Sequence, residues 1–142
     1  MKEIIRGIDA VYVRAADFVR TLHPGVAATT IGLIGDLGAG KTTFVQGSAR
    51  ALGITDVITS PTFVIEKIYS LENQPFKHLI HIDAYRLQNA HELHVLGFEE
   101  ILRDPGNLIF IEWPDKVKEA LPETIKTLNF RFIDEKTREI EV

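Results

Sequence analysis

Thr29-Thr30-Ile31-Gly32-Leu33-Ile34 runs directly into Gly35-Asp36-Leu37-Gly38-Ala39-Gly40-Lys41-Thr42. The first stretch is dominated by β-branched and apolar residues and reads as a short buried strand. The second satisfies G-x-x-x-x-G-K-[ST] at every fixed position. Lys41 to Leu52 follows as an amphipathic helix, and Gly53 stops it. A strand, a glycine-rich turn and a helix in this order build an anion cradle. Glycines let successive N–H groups turn inward, and the helix points its partly positive end at the same place. A lysine at position 41 can then meet the β and γ phosphates of a nucleotide, and a hydroxyl at Thr42 can meet Mg²⁺. Average residue usage produces such a match by chance in about one percent or fewer of chains of this length. Asp36 is the odd member, because a carboxylate beside phosphates is electrostatically unhelpful. Orienting a loop N–H or meeting a metal-bound water are both open to it.

Outward from this loop the chain alternates helices and strands. Val11, Ala15, Phe18, Val19 and Leu22 predict a helix over Ala10 to Leu22, stopped by His23-Pro24-Gly25. Beyond the loop helix, Thr59-Ser60-Pro61-Thr62 reads as a polar loop. Phe63 to Tyr69 and Lys77 to Asp83 read as strands joined by a turn at Asn73-Gln74-Pro75. His91 to Gly97 and Phe98 to Leu102 predict short helices. Leu108-Ile109-Phe110-Ile111 is apolar throughout and predicts a strand covered on both faces. Val117 to Leu121 predicts one more short helix. Thr127 to Ile133 and Arg138 to Val142 predict closing antiparallel strands. The order predicts an α/β fold of the P-loop NTPase type, three layers α/β/α around a mixed, partly antiparallel sheet. The 142 residues suit a single domain, 1–142.

Composition narrows the chemistry. With no cysteine, a disulfide framework, a thiolate zinc site and a cysteine nucleophile are all excluded. The formal net charge of −4 argues against holding nucleic acid by the chain's own surface. No apolar run approaches the length of about 18 residues that spans a bilayer, and Met1 to Arg6 is too mixed for a secretory signal. A cytoplasmic location is the expectation.

A phosphate loop binds nucleotide, but hydrolysis also needs a carboxylate for the metal and a group that positions water. In open α/β sheets such groups sit at the carboxyl ends of buried strands. Glu112 ends the Leu108–Ile111 strand, the Walker B pattern, and is the candidate Mg²⁺ ligand. Asp83 ends the strand through Leu79-Ile80-His81-Ile82 and is the candidate for orienting water; an ion pair with Arg86 is the competing use. His81 shares a strand face with Asp83 and can serve the site or the core. His91, Glu92 and His94 form H-E-x-H rather than H-E-x-x-H and read as surface residues. Thr59 to Thr62 occupies the place of a γ-phosphate switch or of an ordinary turn. Trp113 follows Glu112, and both the core and the nucleotide are open to its ring.

Four blocks in order resemble the bacterial TsaE (YjeE) family of small P-loop ATPases needed for threonylcarbamoyladenosine (t6A) modification of tRNA. They are Gly35 to Phe44, Thr59 to Phe63, His81-Ile82-Asp83-Ala84-Tyr85-Arg86-Leu87, and Ile111-Glu112-Trp113-Pro114. The resemblance implies slow, Mg²⁺-dependent ATP hydrolysis in concert with TsaD and TsaB proteins, tRNA being met only through that complex. It also implies that turnover resets the complex between cycles. Residue by residue, it makes Lys41, Asp83 and Glu112 the catalytic set and Thr42 and Glu112 the Mg²⁺ ligands. Asp36, Gly38, Ala39, Gly40, Lys41, Thr42, Thr43, Thr62 and Arg138 become the ATP contacts, with Thr62 as the switch threonine. The chain departs from the family at Asp9-Ala10-Val11, where a nucleotide-side threonine is common. A GTP switch lacks its N-K-x-D here, and a kinase lacks chain for an arginine-bearing lid.

Overall fold

The structure is a computed structural model that describes residues 1–36, 38–55, 66–123 and 125–142. Its elements in order are strand β1 (Lys2–Arg6), helix α1 (Ile8–Arg20), β2 (Thr29–Ile34), α2 (Lys41–Ala51), β3 (Glu66–Ser70), β4 (His78–Asp83), α3 (Ala90–Val95), α4 (Phe98–Arg103) and β5 (Asn107–Glu112). A 3-10 segment at Pro114–Ala120, β6 (Lys126–Asp134) and β7 (Thr137–Glu141) complete the chain.

The strands form a sheet in the order β1-β7-β6-β2-β5-β4-β3. Its centre is parallel: β2 pairs with β5 and β6, and β5 with β4. Its margins are antiparallel, β3 on β4 at one side and β6-β7-β1 at the other. This is the mixed sheet expected from the alternating pattern. Every residue of β5 is buried, because a parallel strand with helices on both faces meets no water.

Alternation along the strands sorts the core into two layers. Leu79, Leu108, Phe110, Ile31 and Leu33 pack with Val11, Phe18, Phe44 and Val45 of α1 and α2. Ile80, Ile82, Ile109 and Ile111 pack on the other face with Leu93 of α3, Phe98 of α4 and Val117. Strand residues two apart share a face. Glu112 follows Phe110, and His81 and Asp83 follow Leu79, so all three carry their side chains to the α2 face. The fold has thereby aimed three polar residues at the start of α2.

Two element readings change. Lys2–Arg6 is a strand, paired from Lys2↔Glu141 to Arg6↔Thr137; its sequence shows no alternation, since Ile5 is buried and Ile4 is 61% exposed. The helix expected over Val117 to Leu121 is a 3-10 segment beginning at Pro114, with Val117 itself at φ −131°. Proline fits the first helical position, where its missing N–H costs nothing. Among the described residues no helix is long and apolar enough to cross a membrane.

Candidate functional site

The glycine-rich loop leaves β2 at Gly35 and enters α2 at Gly40. Two of its glycines are required by the backbone. Gly35 has φ +153°, and a Cβ there would lie 2.5 Å from the Phe130 carbonyl oxygen of β6. Gly40 caps α2 in the left-handed region, φ 101°, a conformation that glycine adopts without steric cost. Gly40 brings no capping side chain to the N-terminus of α2, so among the described residues its first N–H groups face an anion site.

Lys41, the first residue of α2, is only 4% exposed. Its ammonium donates to the Gly35 carbonyl and lies 4.0 Å from the centre of the Trp113 ring. Burial lowers the Lys41 pKa, and the carboxylates of Glu112, Asp83, Asp36 and Asp115 oppose that shift, in that order. Asp83 and Glu112 face each other in the β4–β5 register. Burial raises the Asp83 pKa; the Tyr85 N–H, which donates to Asp83 Oδ1 at 2.9 Å, pulls it back, and the Glu112 charge raises it further. Glu112 is 4% exposed and its Oε2 lies 2.6 Å from His81 Nε2.

A cavity of about 690 Å³ joins these groups. Gly38, Gly40, Lys41, Thr42, Thr43, Asp83, Glu112, Trp113 and Arg138 all line it. Two expected contacts stand apart. Ala39 is fully buried in the core and its N–H donates to the Asp36 carbonyl at 3.1 Å. Asp36 is not on the cavity wall, although its charge reaches Lys41. Thr62, with the whole Thr59 to Phe63 block, lies outside the described residues.

The remaining wall was not legible as a site. Arg6, Gly7, Ile8, Asp9 and Val11 come from the β1–α1 junction, and Glu135 and Lys136 from the β6–β7 turn. The Gly7 N–H donates to the Lys136 carbonyl at 2.7 Å and ties the two segments together. Arg138 donates to the carbonyls of Asp134 and Thr137 and lies over Phe132, 4.6 Å from the ring centre. The departure from pattern at Asp9-Ala10-Val11 and the resemblance at Arg138 pointed to this side. His91 and His94 are exposed surface residues, His94 facing Glu99 at 3.3 Å.

The wall suits a phosphate chain bearing a divalent cation. Arg6, Lys41, Lys136 and Arg138 are matched by Asp9, Asp83, Glu112 and Glu135, so net charge alone does not recruit a polyanion. Thr42 and Glu112 offer hard oxygens, as Mg²⁺ prefers. Among the described residues no cluster of three His, Cys, Asp or Glu could hold a metal by itself.

Residues 9–140 match the family described as threonylcarbamoyl adenosine biosynthesis protein TsaE. A relative from Treponema pallidum, "tRNA threonylcarbamoyladenosine biosynthesis protein TsaE", is 39% identical over 78% of this chain and 78% of its own. The Bacillus subtilis protein of the same name is 44% identical over 64% of this chain, and the match spans 54% of that relative. Among solved structures, the crystal structure of Bacillus subtilis YdiB superposes with a TM-score of 0.77 at 28% identity, over 99% of this chain and 82% of that one. The family match runs from α1 to β7, and the chain belongs to the TsaE family.

Proposed function

We propose that this chain binds and slowly hydrolyses ATP, with Mg²⁺, as a cytoplasmic component of the tRNA t6A modification machinery, working with TsaD and TsaB proteins. One observation carries the reading. Lys41, Thr42, Asp83 and Glu112, from two strands and one helix, meet on the wall of a single cavity beside the uncapped end of α2. The names of the relatives support the tRNA-modification context.

The chain's own groups divide the work. The N–H groups at the start of α2 bind phosphate oxygens. Lys41 exchanges the Gly35 carbonyl and the Trp113 face for phosphate and offsets developing charge. Thr42 and Glu112 hold Mg²⁺, and Asp83 aligns water from the neighbouring strand. A Mg²⁺ ion held there would supply charge neutralisation at the phosphates. Arg138 packs beside Gly40, and Arg6 and Lys136 line the same cavity. Reaching tRNA only through partners agrees with the net charge of −4.

The test is ATP turnover measured with and without TsaD and TsaB from the same organism. Stimulation by the pair is expected, and none would remove the partner assignment. Glu112→Ala should lower stimulated turnover by at least about 100-fold, at or beyond the upper range for loss of an outer-shell metal partner. Undiminished turnover would take Glu112 out of the mechanism.

A further inference from the structure

His81 is fully buried, yet the hydrolytic reading leaves it idle. It sits two residues before Asp83 on the same face of β4, and its ring reaches across to β5. Nε2 lies 2.6 Å from Glu112 Oε2. Nδ1 is buried and has no partner among the described residues. An ionised carboxylate only accepts, so the proton of this hydrogen bond sits on Nε2. A second proton on Nδ1 would be a buried donor with nothing to receive it. With the carboxylate as acceptor, Nε2–H is the donor, and it is aimed at one oxygen.

The tether has a consequence for the neighbouring charge. Lys41 feels the Glu112 carboxylate, but its ammonium goes to the Gly35 carbonyl and the Trp113 ring. Opposite charges in a poorly solvated site attract strongly. A glutamate free to turn would be drawn toward that ammonium.

We infer that His81 is a positioning residue for Glu112: its Nε2–H holds Oε2, fixes the carboxylate against collapse onto Lys41, and leaves Oε1 for the cation. The inference rests on the Mg²⁺ role proposed above for Glu112. Outer-shell donors of this kind orient metal-binding carboxylates, and their loss costs about 10- to 100-fold in metal affinity or activity.

The test is calorimetric titration of the full-length chain with ATP, in Mg²⁺ and in EDTA, for the native protein, His81→Leu, His81→Gln and Glu112→Gln. His81→Leu should weaken binding about 10- to 100-fold in Mg²⁺ and leave binding in EDTA unchanged. His81→Gln keeps an N–H donor and should recover most of the loss. Native affinity of His81→Leu in Mg²⁺, or an equal loss with and without Mg²⁺, overturns the inference; the latter marks a residue that merely supports the fold. A loss in Glu112→Gln without one in His81→Leu removes the tether alone. Undiminished Mg²⁺ dependence in Glu112→Gln removes the parent reading and the tether with it. Should His81→Leu fail to fold, ¹⁵N spectra of the native imidazole decide. Protonated Nε2 is expected, and bare Nε2 overturns the inference.

Discussion

Trp113 takes a left-handed backbone, φ 59° and ψ 51°, which a bulky residue adopts only when its surroundings impose it. Its N–H reaches the Leu33 carbonyl of β2, and its ring lies between Lys41 and Tyr85. The ring packs on the edge of the core and also lines the cavity. It is the chain's single tryptophan, so its emission reports on this site. Titration with MgATP should change that emission as the ammonium leaves the ring. Lys41→Met should show altered emission at the outset and no further response; an unchanged response would mean that Lys41 stays where it is. Asp83 gives a second prediction at this scale. Burial raises its pKa above the ordinary 3.8. Between those two values the folded chain keeps a proton that the unfolded chain has lost, so stability falls as pH rises through the window. Asp83→Asn removes that cost and can still accept from Tyr85. Without nucleotide its Tm should exceed the native value at pH 7. The gain should vanish below the ordinary value, where both states are protonated, as thermal melts across that range would show.

Helix α2 joins the loop to the core through Phe44. That ring is fully buried and meets Phe18, Phe110 and Phe130 edge-on, with centroids 5.7, 6.4 and 5.4 Å away. Phe44→Ala should cost about 3–5 kcal/mol in urea unfolding, since neighbours from three elements cannot all collapse into the space. The helices and strands with strong periodicity were legible: α1, α2, β2, β4 and β5 lie within a few residues of their predicted spans. The elements that were not legible have physical reasons. β1 is short and lies at a sheet edge, with one buried side chain; its pairing with β7 is set by residues at the other end of the sequence. The Pro114–Ala120 segment bends at Val117, and its shape follows from packing on α3 and β2 rather than from a 3.6-residue period. Asn89 was not singled out, though it caps α3 by accepting from the Glu92 N–H at 3.2 Å, a local cue.

At the scale of the whole molecule, the cavity closes only because the two sequence ends meet. β1 pairs with β7, and the Gly7 N–H holds the Lys136 carbonyl. Deleting residues 1–6 should expose the edge of β7 and remove the Arg6 wall. ATP affinity measured by calorimetry should fall, while its Mg²⁺ dependence should remain, because Thr42 and Glu112 lie on α2 and β5, outside the deleted segment. Loss of Mg²⁺ dependence instead would place the cation nearer to β1. The sequence by itself determined the glycine-rich loop, the α/β order and the two strand-end carboxylates. These are local signals: a turn that needs glycine, a period, an acid after an apolar run. Tertiary structure alone decided that His81 meets Glu112, that Trp113 covers Lys41, and that residues 6–11 and 135–138 share a wall with the loop. Each of those depends on strand register and on pairing between distant segments, and no short stretch of sequence carries that information.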